Sequence, residues 1–94
     1  VFTSGIVADD VSQDIKGQTR QILSEIDRLL ALCGTDKSKA VSASIWVTDI
    51  RNRDEMNEEW IAWTGGQHLP ARACVEARLA SPAMLVEIAV TAAK

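Results

Sequence analysis

Three side chains in the last third of this sequence are of types that can do chemistry: Arg72, Cys74 and Glu87. Arg72 follows Pro70-Ala71 at the start of an extended segment, where it can project from a sheet end into a cleft. Its guanidinium is always charged and presents a planar fork that matches a carboxylate, so it suits an anchor for a small acid. Glu87 is a lone carboxylate in the mostly apolar run from Met84 to Val90. In an apolar wall such a group can hold and polarise a water molecule. The structural alternative is a salt bridge between Arg72 and Glu87 within a sheet, and the residues alone leave both readings open. His68, the only histidine, has no acid or cysteine at a spacing that marks a general-base pair. No phosphate loop, dinucleotide fingerprint, HExxH or GxSxG can be assembled, and the two cysteines, Cys33 and Cys74, are too few and too isolated for a zinc site or a disulfide framework.

The elements that must position these groups follow from periodicity. From Pro70 to Leu79, Ala73, Val75, Ala77 and Leu79 alternate with Arg72, Cys74, Glu76 and Arg78, which predicts a strand burying the first set. Ala80-Ser81-Pro82-Ala83 is the turn, and a strand from Met84 to Thr91 places Met84, Val86, Ile88 and Val90 opposite Leu85, Glu87, Ala89 and Thr91. Earlier, Val1 to Val7 reads as a short strand broken by Ser4-Gly5, where the glycine marks a bulge or a close approach. Ser12 is the expected N-cap of a first helix, whose stripe is Ile15, Thr19, Ile22, Leu23, Ile26, Leu29, Leu30 and Cys33, with Gly34 as its stop. Gly17 costs that helix about 1 kcal/mol relative to alanine, so its first turn is either frayed or tightly packed. Cys33 reads as a small core hydrophobe.

A third strand runs from Val41 to Asp49, with Val41, Ala43, Ile45 and Val47 on one face and Ser42, Ser44, Trp46 and Thr48 on the other. Asn52 with Glu55 resembles a capping box for a second helix carrying Met56, Trp60 and Trp63 on one face and ending at Gly65-Gly66. The tryptophan spacing fits packing on the sheet. The order strand, helix, strand, helix, strand, strand predicts an α+β fold with both helices on one face of a mixed sheet. Cys74, Leu85, Ala89 and Trp46 then fall on the other face, and burying them calls for another subunit.

Ninety-four residues bound the chain to a single domain, residues 1–94, and a core this small favours association. The sequence opens on valine in what reads as mid-strand, so some amino-terminal residues are expected to be missing. Hydrophobic residues are 47% and there is no apolar run of transmembrane length, so no membrane partner is expected. The net charge is −3 and the basic residues are scattered, so nucleic acid is not an expected partner either. Reduced thiols in a cytoplasmic protein are the default reading.

Several pieces in order resemble the reactive intermediate (imine) deaminase family, also called RidA or YjgF, and related to the endoribonuclease L-PSP proteins. They are Ser4-Gly5, Gln18-Thr19-Arg20-Gln21 with Leu23, Gly34-Thr35-Asp36, Asp49, Met56-Asn57, Pro70-Ala71-Arg72, Val75-Glu76 and Val86-Glu87-Ile88. The resemblance implies a chorismate-mutase-like fold and a homotrimer with three clefts between subunits. It also implies hydrolysis of 2-imino and 2-enamino acids to 2-oxo acids and ammonia, with no metal and no cofactor. Carried over, Arg72 would clamp the substrate carboxylate, the main chain at Ala73 and Cys74 would hold its nitrogen end, Glu87 would orient the attacking water, and Ser4 and Gly5 would line the cleft. Asn57 and Glu76 match family positions that read as structural, Glu76 through an ion pair. The family's amino-terminal Gly-Pro-Tyr-Ser segment has no counterpart here, the loop between Gly5 and Gln18 is short, and the Trp60/Trp63 pair looks like a short-chain branch. The alternative is a non-catalytic trimer that binds small carboxylates or has a regulatory or chaperone-like role.

Overall fold

A computed structural model describes all 94 residues, Val1 to Lys94. The stripe of helix α1 (Ile15–Leu32) closes the core, with Ile15, Ile22, Leu23, Ile26 and Leu30 buried. The helix begins two residues later than expected. Asp14, not Ser12, is the N-cap, and its carboxylate accepts the Gly17 amide at 2.8 Å. Ser12 is held instead by Asp10, which accepts both its amide and its hydroxyl. Such a local bond competes with capping. The Gly17 turn is packed rather than frayed, since a Cβ there would stand 2.8 Å from Gln13 Cβ. At the other end Leu29 is only half-buried and Cys33 is exposed, so the expected stripe is one turn too long. Gly34 leaves the helix at φ 77°, a left-handed conformation that glycine adopts without strain.

Strands β1 (Ala40–Val47), β2 (Ala71–Glu76) and β3 (Val86–Ala92) form a sheet of order β2-β1-β3, with β1 parallel to β2 and antiparallel to β3. A parallel pair needs a crossover, and α2 (Arg53–Thr64) supplies it. That helix lacks the expected capping box, because Asn52 makes no side-chain cap bond. The chain enters it through the 3-10 turn Ile50–Asn52, which Asp49 caps by accepting the Arg51 amide. Gly65 then ends α2 in the left-handed conformation.

The Ala80 to Ala83 turn closes no hairpin. The chain from β2 to β3 crosses the end of the central strand, where the Ala77 amide donates to the Val47 carbonyl and the Thr48 amide to the Leu85 carbonyl. β2 therefore stops at Glu76 and β3 starts at Val86, both shorter than the alternation suggested. The opening segment is not a continuous strand. It bridges β3 at Phe2–Thr91 and Ile6–Ile88, with Ser4-Gly5 bulging between. It covers the outer edge of β3 and leaves β2 as the free edge.

One side of the sheet carries Ala43, Ile45, Val47, Val86, Ile88, Val90 and Ala92 into a core shared with α1 and with Met56 and Trp60 of α2. Fully burying each larger aliphatic contributes about 1.5–3 kcal/mol. The other side is bare. Register places Ser42, Ser44 and Trp46 there, with Ala71, Ala73 and Val75 from β2 and Glu87, Ala89 and Thr91 from β3. This inverts the reading of β2. Ala73 and Val75 are exposed, whereas Arg72 and Cys74 align with Ala43 and Ile45 on the helix side. Cys74 and Leu85, both expected on the bare face, pack against the core. Val41 is exposed because the β1–β3 register shifts between Ala40 and Ser42, so the alternation breaks there.

Candidate functional site

Arg72 lies under α2, not free in a cleft. Its Nη1 donates to Asn57 Oδ1 at 2.6 Å, and its Cζ stands 5.5 Å from the centroid of the buried Trp60 ring. Asn57 and Trp60 are one turn apart on the helix, the spacing that puts two side chains on one face. The indole stack suits a guanidinium, which is planar and weakly hydrated. Trp60 in turn packs against Trp63 with centroids 5.3 Å apart. Trp63 is only half-buried, donates to Asp27 of α1 at 3.0 Å, and has the Lys37 ammonium 5.5 Å from its centroid. Of the two tryptophans read as core, one is core and the other ties α2 to α1.

Glu87 projects from the bare side, beside Trp46 in the β1–β3 register. A Cβ at Gly5 would collide with Glu87 Oε2 and stand 2.9 Å from Cδ. The glycine in the bulge is therefore what lets the carboxylate lie against the opening segment. Arg72 and Glu87 thus point to opposite sides of one sheet. The four ion pairs of the chain are Lys16–Glu58, Arg20–Glu59, Arg28–Glu25 and Arg51–Asp49, and include neither. Within one chain, the salt bridge that sequence left open is not formed.

The remaining residues singled out in sequence are dispersed. Ala73 faces the bare side and Cys74 the core, but both belong to the free-edge strand, so peptide groups there that turn away from β1 are open to a ligand. Burial pushes the Cys74 thiol up, against the pull of Arg72 and Arg53. It is a packed thiol and not a nucleophile. Iodoacetamide at neutral pH is expected to label Cys33 well before Cys74, read by peptide mapping with mass spectrometry, and equal rates would contradict this placement. Ser4 lines a cavity of about 240 Å³ with Phe2, Leu29 and Leu32, and Gly5 lines one of about 460 Å³ with Asp9, Gln21 and Glu25. No cavity of the chain is lined by Arg72, Cys74 or Glu87.

Glu76 makes no ion pair; its carboxylate accepts the Ile50 amide at 3.0 Å. Beside it, the Arg51 side chain and amide hold Asp49 well below the usual carboxylate range, at about 2. Together the two acids fix the turn that aims α2, and with it Asn57, at Arg72. Sequence reasoning missed the hub of the loops. Gln18 is fully buried, and its amide nitrogen donates to the carbonyls of Val11, Gln13 and Ala83 while its oxygen accepts the Leu85 amide at 2.9 Å. It pins the segment after Gly5 to the segment before Glu87. An uncharged amide within an apolar helical stripe was the available signal.

No helix is long and apolar enough to cross a membrane. The family model described as endoribonuclease L-PSP matches residues 1–94. A RutC family protein of Haemophilus ducreyi is 44% identical over 92 residues, which is 98% of this chain and 79% of that protein. The RutC family protein YoaB of Escherichia coli is 36% identical over 87 residues, 93% of this chain and 76% of its own. Among solved structures, a YjgF family member from Neisseria meningitidis superposes with a TM-score of 0.94 at 46% identity, covering 99% of this chain and 77% of that one. YyfA of Yersinia pestis, from the conserved Rid family, gives a TM-score of 0.90 at 37% identity, over 97% of this chain and 77% of its own. Sequence and fold agree along the whole length, and the chain belongs to the endoribonuclease L-PSP family, the group that also goes by the names YjgF, RutC and Rid.

Proposed function

We propose that this protein hydrolyses 2-imino and 2-enamino acids to 2-oxo acids and ammonia in the cytoplasm, as a homotrimer whose sites lie between subunits. The observation that carries this reading is the placement of Arg72 and Glu87 on opposite faces of one sheet, with neither taken by an ion pair. A single chain cannot bring both to one substrate. A second copy laid on the bare face can supply the missing member, and that face, with its small residues, one indole and a carboxylate, needs a cover. In the assembled cleft Arg72 binds the substrate carboxylate, peptide groups of Ala73 and Cys74 meet the nitrogen end, and Ser4 and Gly5 line the wall. Glu87 of the neighbouring subunit orients a water for attack on the imine carbon, accepts a proton from it, and returns a proton to the departing amine. RNA cleavage, which the family's description names, has less support. The net charge of −3 and the scattered basic residues offer no track for a phosphate backbone.

The primary test couples an amino-acid oxidase or a pyridoxal-phosphate lyase to this protein and follows loss of the imine. A rate equal to buffer across several side-chain sizes would overturn the activity. The shared site has a sharper signature. Arg72→Ala and Glu87→Gln trimers are each expected to be strongly impaired at low substrate, but subunits mixed in equal amounts and reassembled should recover about a quarter of wild-type sites, because every mixed ring of three holds one intact interface. No recovery despite proven subunit exchange would place the two residues' functions in separate sites.

A further inference from the structure

Helix α2 opens Arg53-Asp54-Glu55-Met56-Asn57-Glu58-Glu59, and the one uncharged polar side chain of that acidic run is the one that meets Arg72. The two acids that follow it are engaged with α1: Glu58 with Lys16 at 2.7 Å and Glu59 with Arg20 at 2.8 Å. We infer that Asn57 is a positioning residue for Arg72, holding the guanidinium fork against Trp60 while leaving its charge uncompensated for an incoming carboxylate; this rests on the reading of Arg72 as the substrate anchor.

The chemistry of the pair explains the choice of an amide. A carboxylamide oxygen takes one guanidinium N–H and restricts the fork to the plane set by the Trp60 stack, so less rotational freedom is lost when the acid arrives. A carboxylate at the same place would also fix the fork, but as its counter-ion. The substrate would then have to compete with a charge already in contact, in a half-buried setting where such pairs are short and strong. Stability and ligand affinity should therefore move in opposite directions when Asn57 acquires a charge. A purely structural role for Asn57 makes them move together.

The experiment measures binding of 2-oxobutanoate by calorimetry, and the melting temperature, on wild type, Arg72→Ala, Asn57→Asp and Asn57→Ala. Asn57→Asp is expected to weaken binding by about tenfold or more while the melting temperature holds or rises. Asn57→Ala removes the hydrogen bond without adding a charge, keeps the test open should the aspartate variant fail to fold, and is expected to weaken binding about two- to tenfold. In an Arg72→Ala background the Asn57→Ala change should add nothing. If Arg72→Ala weakens binding but both Asn57 variants bind like wild type, the positioning role is overturned and the anchor stands. Parallel loss of melting temperature and affinity in Asn57→Asp overturns it as well. Wild-type affinity in Arg72→Ala, or no binding by wild type, removes the anchor and this inference with it.

Discussion

Glu87→Gln is expected to lose about 10²- to 10⁴-fold in turnover of 2-imino acids while keeping the fold, the assembly and the affinity for a stable 2-oxo acid. The amide is nearly isosteric with the carboxylate but takes no proton from water. Glu87 is half-exposed on the bare face and belongs to none of the chain's ion pairs, so the change leaves no buried partner unpaired. A loss of rate at constant melting temperature then reports on chemistry alone. The same variant separates the enzyme from a trimer that only captures small carboxylates, since ligand capture by Arg72 does not need a water-orienting group. Wild-type turnover by the Gln variant would return Glu87 to a structural role.

Arg72→Ala is expected to lower affinity for 2-oxo acids, and kcat/KM for imines, by about 10- to 150-fold, the worth of charge-assisted hydrogen bonds at about 1.5–3 kcal/mol. The structure also says what this variant should not do. Arg72 is not the partner of Glu87, so its removal strands no carboxylate. It frees Asn57 Oδ1 and uncovers one face of Trp60, a loss of order 0.5–1 kcal/mol. The melting temperature should therefore fall only slightly. Arg72→Lys should recover part of the binding, because the ammonium keeps the charge but neither the fork nor the flat surface that lies on the indole. Unchanged affinity with a collapsed melting point would overturn the anchor role.

The first helix, the central strand and β3 were legible because their buried positions are large aliphatics at unambiguous spacing. Ile22, Ile26 and Leu30 could face only the core, and Ile45, Val47, Ile88 and Val90 likewise. β2 was misread for the opposite reason. Its alternation sets alanines against Arg72 and Cys74, and hydropathy favours the alanines. Inside, however, the arginine guanidinium stands over the Trp60 ring and the cysteine behaves as a small hydrophobe. The alanines and Val75 go to the side that no helix of this chain covers. Arg72 and Glu87 could be picked out as candidates from residue type and resemblance, but their separation by the thickness of a sheet could not. That follows from the register of each strand on β1, and the inverted reading of β2 put Arg72 on the wrong side. Nor does any spacing rule connect Asn57 with Arg72, fifteen residues away. Gln18 was marked by resemblance, but its role as a hub was not, because a buried amide acts through loop carbonyls whose positions no periodicity announces.

The contact between Gly5 and Glu87 makes one backbone position the gatekeeper for an acid far away in the chain. Any side chain at the first position would occupy the space of the carboxylate at the second. A larger residue at position 5 fits only if the Glu87 side chain swings aside. Space at residue 5 thus decides whether this chain can present an acid from the bare side of the sheet in this conformation.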